Sequence, residues 1–167
     1  MVDPDLLYTI AQVGVTYAGF STLVTVVAYR RDMKALPARI YYMLLLSVIV
    51  VTCAFLPSIF LTYELSEATA WRASSGLFGA AWCAYWINAI VILKTRFRVW
   101  DSLALLNKVN TVLVHPTAFI LLFVGMTGFW GESVEAVYVT ALFIMLYMSA
   151  YLFLQIIIDL LDTQSES

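Results

Sequence analysis

The chain is 167 residues long, 63% hydrophobic and 12% charged, with a formal net charge of −2. Its mean hydropathy is +0.91, whereas roughly half the residues of water-soluble domains are apolar. These values exclude a water-surrounded globular domain, and the slightly acidic balance gives no basis for a nucleic-acid partner.

Five long apolar stretches alternate with short polar connectors, at residues 6–29, 40–63, 74–93, 111–129 and 134–161. With a rise of ~1.5 Å per residue, each reaches across a hydrocarbon core of ~30 Å, the fourth only just. Strands of a membrane barrel would alternate with period two over about ten residues. These stretches are twice as long and apolar all round. The predicted fold is an all-α integral membrane protein, a bundle of five transmembrane helices forming one domain over residues 1–167. The connectors are too short to fold alone.

Basic residues set the orientation. Arg30, Arg31, Lys34 and Arg39 follow the first stretch, and Lys94, Arg96, Arg98 and Lys108 follow the third. Arg72 alone falls on the opposite side, with Asp3, Asp5, Glu64, Glu67, Glu132 and Glu135. Lys and Arg accumulate in cytoplasmic loops, so the N-terminus is expected outside and the C-terminus in the cytoplasm. The start has no basic segment, and its apolar run exceeds the roughly 7–15 residues of a signal-peptide core. Pro4 and Asp5 instead suit a helix start, where the missing proline N–H costs nothing and a carboxylate meets the positive dipole end.

Aromatic residues gather at the expected ends: Tyr63, Trp71 and Trp130 outside, and Tyr29, Tyr41, Tyr42 and Trp100 inside. Such rings belong at headgroup level. The first helix carries a ribbon of small residues, Ala11, Gly14, Ala18, Thr22 and Thr25, beside a polar line of Thr9, Gln12, Thr16 and Gly19. The third repeats the device with Gly76, Ala80, Ala84 and Asn88. Helices in lipid associate by close backbone approach and interhelical hydrogen bonds. Gly14, Ala18, Thr22, Gly76, Ala80 and Ala84 are therefore the candidate packing interface, and helix one is expected to be covered by protein on this side.

Pro57 frees the carbonyl of Cys53, and Pro116 that of Val112; neighbouring hydroxyls can satisfy such groups. Cys53 and Cys83 lie inside their stretches, with no CxxC pairing, and are expected to be free structural thiols. Between residues 99 and 110 the third connector reads as an amphipathic turn or two, lying in the interface or leading into helix four. The tail after 161 is polar and expected to fray.

Helix five carries Tyr147, Tyr151, Gln155 and Asp159 at four-residue steps. Depths counted from the helix ends bring Asn88, His115, Tyr151, Gln155 and Asp159 to one inner layer. Polar groups at membrane depth suggest a functional site, here a cytoplasm-facing cavity. The alternative is a set of interhelical hydrogen bonds of ~0.6 kcal/mol each. The single histidine rules out a bis-histidine haem or a His-rich zinc site from this chain alone. No catalytic grouping, cofactor motif or metal-ligand spacing stands out, so no cofactor is expected.

The run from Ala11 through Gly14, Ala18, Gly19, Phe20, Ser21 and Val24, followed by Arg30 and Arg31, resembles the first helix of a group of small bacterial membrane proteins. That group carries an "AGFSG"-like run before a basic loop. Phe55-Leu56-Pro57 and Trp71-Arg72-Ala73-Ser74-Ser75 are similar to its second helix and the start of its third. The resemblance spans about the first 80 residues, and Thr22 stands where the group often has glycine. It implies a bacterial inner membrane and no activity.

The expectation is a small non-enzymatic membrane protein, assembling through helices one and three as a homo-oligomer or an accessory subunit within the lipid bilayer. The competing expectation is a small channel or transporter using the inner polar layer. A membrane-embedded lipid enzyme comes third.

Overall fold

The computed structural model describes residues 4–28, 36–95, 108–129 and 133–165. Among them all regular structure is helical: α1 (Pro4–Ala28), α2 (Leu36–Thr62), α3 (Glu67–Thr95), a π-turn (Asn110–Val114) running into α4 (His115–Thr127), and α5 (Val134–Ser165). Two segments, Arg39–Thr62 and Val134–Ile158, are both long and apolar enough to cross a membrane, and Val112–Thr127 is a shorter apolar helix. Helices α1 and α3 are long, at 25 and 29 residues, but polar and small residues such as Gln12, Thr16, Ser74 and Gly76 dilute them.

Helix α1 starts at Pro4, with Asp5 in its first turn. Helix α3 starts seven residues before its apolar stretch. Ser66 caps it, its Oγ accepting the Thr69 N–H at 3.4 Å and pairing with the Thr69 hydroxyl at 2.8 Å, which satisfies one of the orphan donors of a first turn. The tail expected to fray is instead helical to Ser165. Loss of apolar character marks where burial ends, not where helix propensity ends, and Leu161, Asp162 and Gln164 all tolerate a helix.

Arg30, Arg31, Lys34, Arg96 and Arg98 lie outside the described residues, as do Tyr29, Trp100, Trp130 and Glu132. So does most of the amphipathic segment; its last residues, Lys108 and Val109, are helical and continue into the π-turn.

The helices form a ring in chain order. Helix α1 packs on α2 and α5, α2 on α3, α3 on α4, and α4 on α5, while α2 also meets α5 across the middle. The centre is filled by Leu46 and Val50 of α2, Phe78 and Trp82 of α3, Leu122 of α4 and Tyr138 and Met145 of α5, all essentially inaccessible. Dense side-chain contact of this kind, with no driving force from water, holds helices together in lipid.

The two prolines are handled differently. The Tyr138 hydroxyl donates to the Cys53 carbonyl that Pro57 leaves without its helical partner. Just before Pro116 the helix widens into the π-turn, and the Thr117 hydroxyl donates to the Leu113 carbonyl at 2.8 Å. Wider i→i+5 turns of this type commonly interrupt helices at functional positions.

The aromatic belt is only partly where the sequence suggested. Tyr63 and Tyr41 are exposed, whereas Trp71 and Tyr42 are buried. Each turns into the bundle because a ring is available there: Trp71 meets Tyr138, and Tyr42 meets Tyr85 edge-on. Cys53 and Cys83 are free thiols, the first buried and the second half-buried.

Candidate functional site

Buried rings follow one another through the bundle, Tyr42, Tyr85, His115, Trp82, Phe78, Tyr138 and Trp71, with neighbouring centroids 5.5–5.8 Å apart. His115 is the polar member at the centre. It is buried to 3% exposure, edge-on to Trp82 and tilted against Tyr85. Its Nδ1 has no hydrogen-bond partner among the described residues, nor has the Trp82 Nε1 beside it.

The π-turn brings a second polar side chain to the same place. On an α-helix, residues five apart diverge by roughly 140°. A turn closed by i→i+5 bonds instead stacks them, so Asn110 sits one turn below His115 on the same face. Asn110 is buried beside Tyr151 of α5, and its Nδ2 meets no partner at hydrogen-bond geometry among the described residues.

Helix α3 supplies the third. Asn88 lies three residues beyond Tyr85, one turn toward the same end. Its backbone carbonyl accepts the Tyr42 hydroxyl at 3.4 Å, and its Oδ1 is buried without a partner among the described residues. Of the expected polar layer, Asn88 lies one turn along α3 from Tyr85, whose ring meets His115, and Tyr151 lies beside Asn110. Gln155 is half-buried further along α5, where its backbone carbonyl accepts the Arg39 guanidinium at 3.3 Å, tying α2 to α5. Asp159 lies in α5, and its side chain is outside the described residues. Tyr147 is exposed and stacks on Tyr151.

Sequence reasoning missed Asn110, Trp82 and Arg39. Asn110 stands at the edge of a polar connector and reads as loop. Only its five-residue offset from His115, next to Pro116, signals otherwise. Among the described residues no group of three or more His, Cys, Asp or Glu could hold a metal ion.

The small residues divide. Gly14 is packed within the chain: a Cβ there would meet Val51 Cγ2 at 2.9 Å and Val50 Cγ1 at 3.4 Å. Ala11 is buried and Ala18 half-buried on the same side. Gly76 abuts Met126, with Sδ 3.1 Å from a would-be Cβ. By contrast, Thr22, Ala80 and Ala84 are exposed. The polar line of α1, Thr9, Gln12, Thr16 and Gly19, is exposed, so within one chain no helix covers the side on which α1 is expected to meet protein. The reason is that the Ala11–Gly14 edge permits the closer approach, and only one edge of a helix can face α2.

Thr9, Thr16 and Thr22 satisfy themselves by donating to the carbonyls of Asp5, Gln12 and Ala18. Among the described residues the Gln12 amide makes no such local bond. It lines an open groove of about 470 Å³ with Tyr8, Ala11, Val15, Thr16 and Phe55. Comparison with protein-family models, curated proteins and solved structures finds no match.

Proposed function

We propose that this chain is a five-span, multi-pass protein of a bacterial inner membrane, with its N-terminus outside and its C-terminus cytoplasmic. It acts without catalysis, as an assembly or accessory subunit that associates through the outward faces of α1 and α3, as a homo-oligomer or with another membrane protein. The surface supports a lipid setting: Val15, Leu23, Ile120 and Leu154 are each more than half exposed, a pattern that water-soluble monomers avoid.

The observation that carries the assembly reading is Gln12. It is exposed in line with Thr9, Thr16 and Gly19 and lines the groove together with Tyr8, Val15 and Phe55. In lipid an amide without partners is costly, and a neighbouring helix would relieve it while filling the groove. The exposed Ala80 and Ala84 offer a second close-approach surface.

The test is native mass in lipid nanodiscs. The parent is expected above monomer mass, and Gln12→Leu is expected to shift it toward monomer without loss of helicity. A monomeric parent sinks the reading. For topology, cysteines placed at Lys34 and Arg96 are expected to react only from the cytoplasmic side, and one at Leu65 from outside.

A second reading, a small channel or transporter, is favoured by the unpartnered polar atoms of Asn88, Asn110 and His115. It requires flux of ions or small solutes in proteoliposomes, altered by His115→Ala.

A further inference from the structure

We propose that Asn88, Asn110 and His115, roofed by Trp82 and Tyr85, enclose a hydration site in which water molecules are held between α3 and α4. The inference stands apart from the assembly reading, since it concerns the interior of one chain.

Four buried polar atoms of the adjoining α3 and π-turn–α4 segments are without partners among the described residues: Asn88 Oδ1, Asn110 Nδ2, His115 Nδ1 and Trp82 Nε1. His115 and Trp82 are in ring contact at 5.7 Å. Asn110 stacks beneath His115 through the π-turn, and Asn88 stands one turn beyond Tyr85, which itself touches His115 at 5.5 Å. The antiparallel α3 and α4 pack directly on one another, so both asparagines reach the same level. An amide or ring nitrogen buried unpaired is costly. Four such atoms left unmet would erode a marginally stable fold.

The chemistry of the set selects the occupant. Asn88 Oδ1 accepts, Asn110 Nδ2 and Trp82 Nε1 donate, and His115 Nδ1 does either according to tautomer. Water, with two donors and two acceptors, meets such a mixed set, and buried waters typically make about three hydrogen bonds. A charged ligand has no counter-charge among these four groups. A larger solute is opposed by the rings, which already sit at van der Waals packing against His115. On the α5 side Tyr151 stands beside Asn110.

The chain has one histidine, so its ring nitrogens can be read without overlap. Protein labelled with ¹⁵N-histidine, in phosphatidylethanolamine–phosphatidylglycerol vesicles, is examined by water-edited solid-state NMR. Fast transfer of water magnetisation to the His115 ring is expected, with a severalfold loss in Asn110→Leu. A ring that receives no water magnetisation in the parent, while exposed backbone does, overturns the proposal; this arm needs no substitution and so survives a variant that misfolds. Cross-peaks from the ring to an organic molecule in place of water overturn it equally. The oligomeric mass plays no part in either outcome, so failure here is distinct from failure of the assembly reading.

Discussion

The Tyr138 hydroxyl of α5 donates to the Cys53 carbonyl of α2 at 2.5 Å, one helical turn before Pro57. Proline removes the N–H that would have bonded this carbonyl, and a phenol from the facing helix replaces it. A break in α2 is thereby converted into a tie between the two helices that meet across the centre of the bundle. Tyr138→Phe is expected to destabilise the protein by about 1–2 kcal/mol, the cost of leaving a buried acceptor unmet. In a Pro57→Ala background the backbone N–H competes for the same carbonyl, so the cost of Tyr138→Phe should shrink. Unfolding in mixed micelles of all four proteins gives the cycle. Equal costs in both backgrounds would show that the hydroxyl and the proline are not coupled.

Two glycines of α1 separate by the space around them. At Gly14 an added Cβ would lie 2.9 Å from Val51 Cγ2, and only α2 or its valines could yield. Overpacking of this kind costs roughly 1–3 kcal/mol, and Gly14→Val is expected to fall in that range. Gly19 has nothing within 4 Å. Gly19→Ala should therefore gain up to about 1 kcal/mol from helix propensity alone. Thermal midpoints of the two variants in one detergent decide the matter, since they should move in opposite directions. A midpoint for Gly19→Ala that falls would point to a partner helix lying against that residue.

The alternation of apolar stretches with polar connectors was enough to read five helices, because burial period and length are written directly in composition. The prolines were legible too, including the need for an outside hydroxyl, but not which residue would supply it. Tyr138 reads as one more apolar position until α2 and α5 are known to face each other. Facing was the missing quantity throughout. The small edge and the polar line of α1 lie side by side, and a sequence cannot say which of two adjacent edges wins the neighbour. Asn110 was lost for a different reason. Helical periodicity assumes 3.6 residues per turn, and a π-turn shifts everything on one side of it by a residue.

Gly128 ends α4 in the left-handed region at φ 71°, its N–H donating to the Gly125 carbonyl. The Arg72 guanidinium of α3 lies against it, 2.6 Å from where a Cβ would stand. A cation there complements the negative end of the α4 dipole. Gly128→Ala is expected to combine backbone strain with displacement of the arginine, costing roughly 1–3 kcal/mol. Arg72→Met, which removes the obstruction but keeps the bulk of the stem, should recover part of that loss in the double variant. Chemical denaturation of the three variants measures it, and additive losses would mean that the two groups do not press on one another.

The π-turn makes a prediction about deletions. Val112 lies within it and Ile120 lies in α4, and both are more than half exposed, so removing either sacrifices little core packing. Losing Val112 converts i, i+5 spacing between Asn110 and His115 into i, i+4, which an ordinary α-helix also stacks on one face. Losing Ile120 instead rotates the two ends of α4 by about 100° relative to one another, driving either Ala118 or Leu122 out of the core. Combined with Pro116→Ala, which restores the N–H an unbroken α-helix needs, the Val112 deletion is expected to keep the His115 ring resonances near their parent positions. The Ile120 deletion in the same background should shift or broaden them and lower the thermal midpoint sharply. If the two deletions behave alike, the widened turn is not what aligns Asn110 with His115.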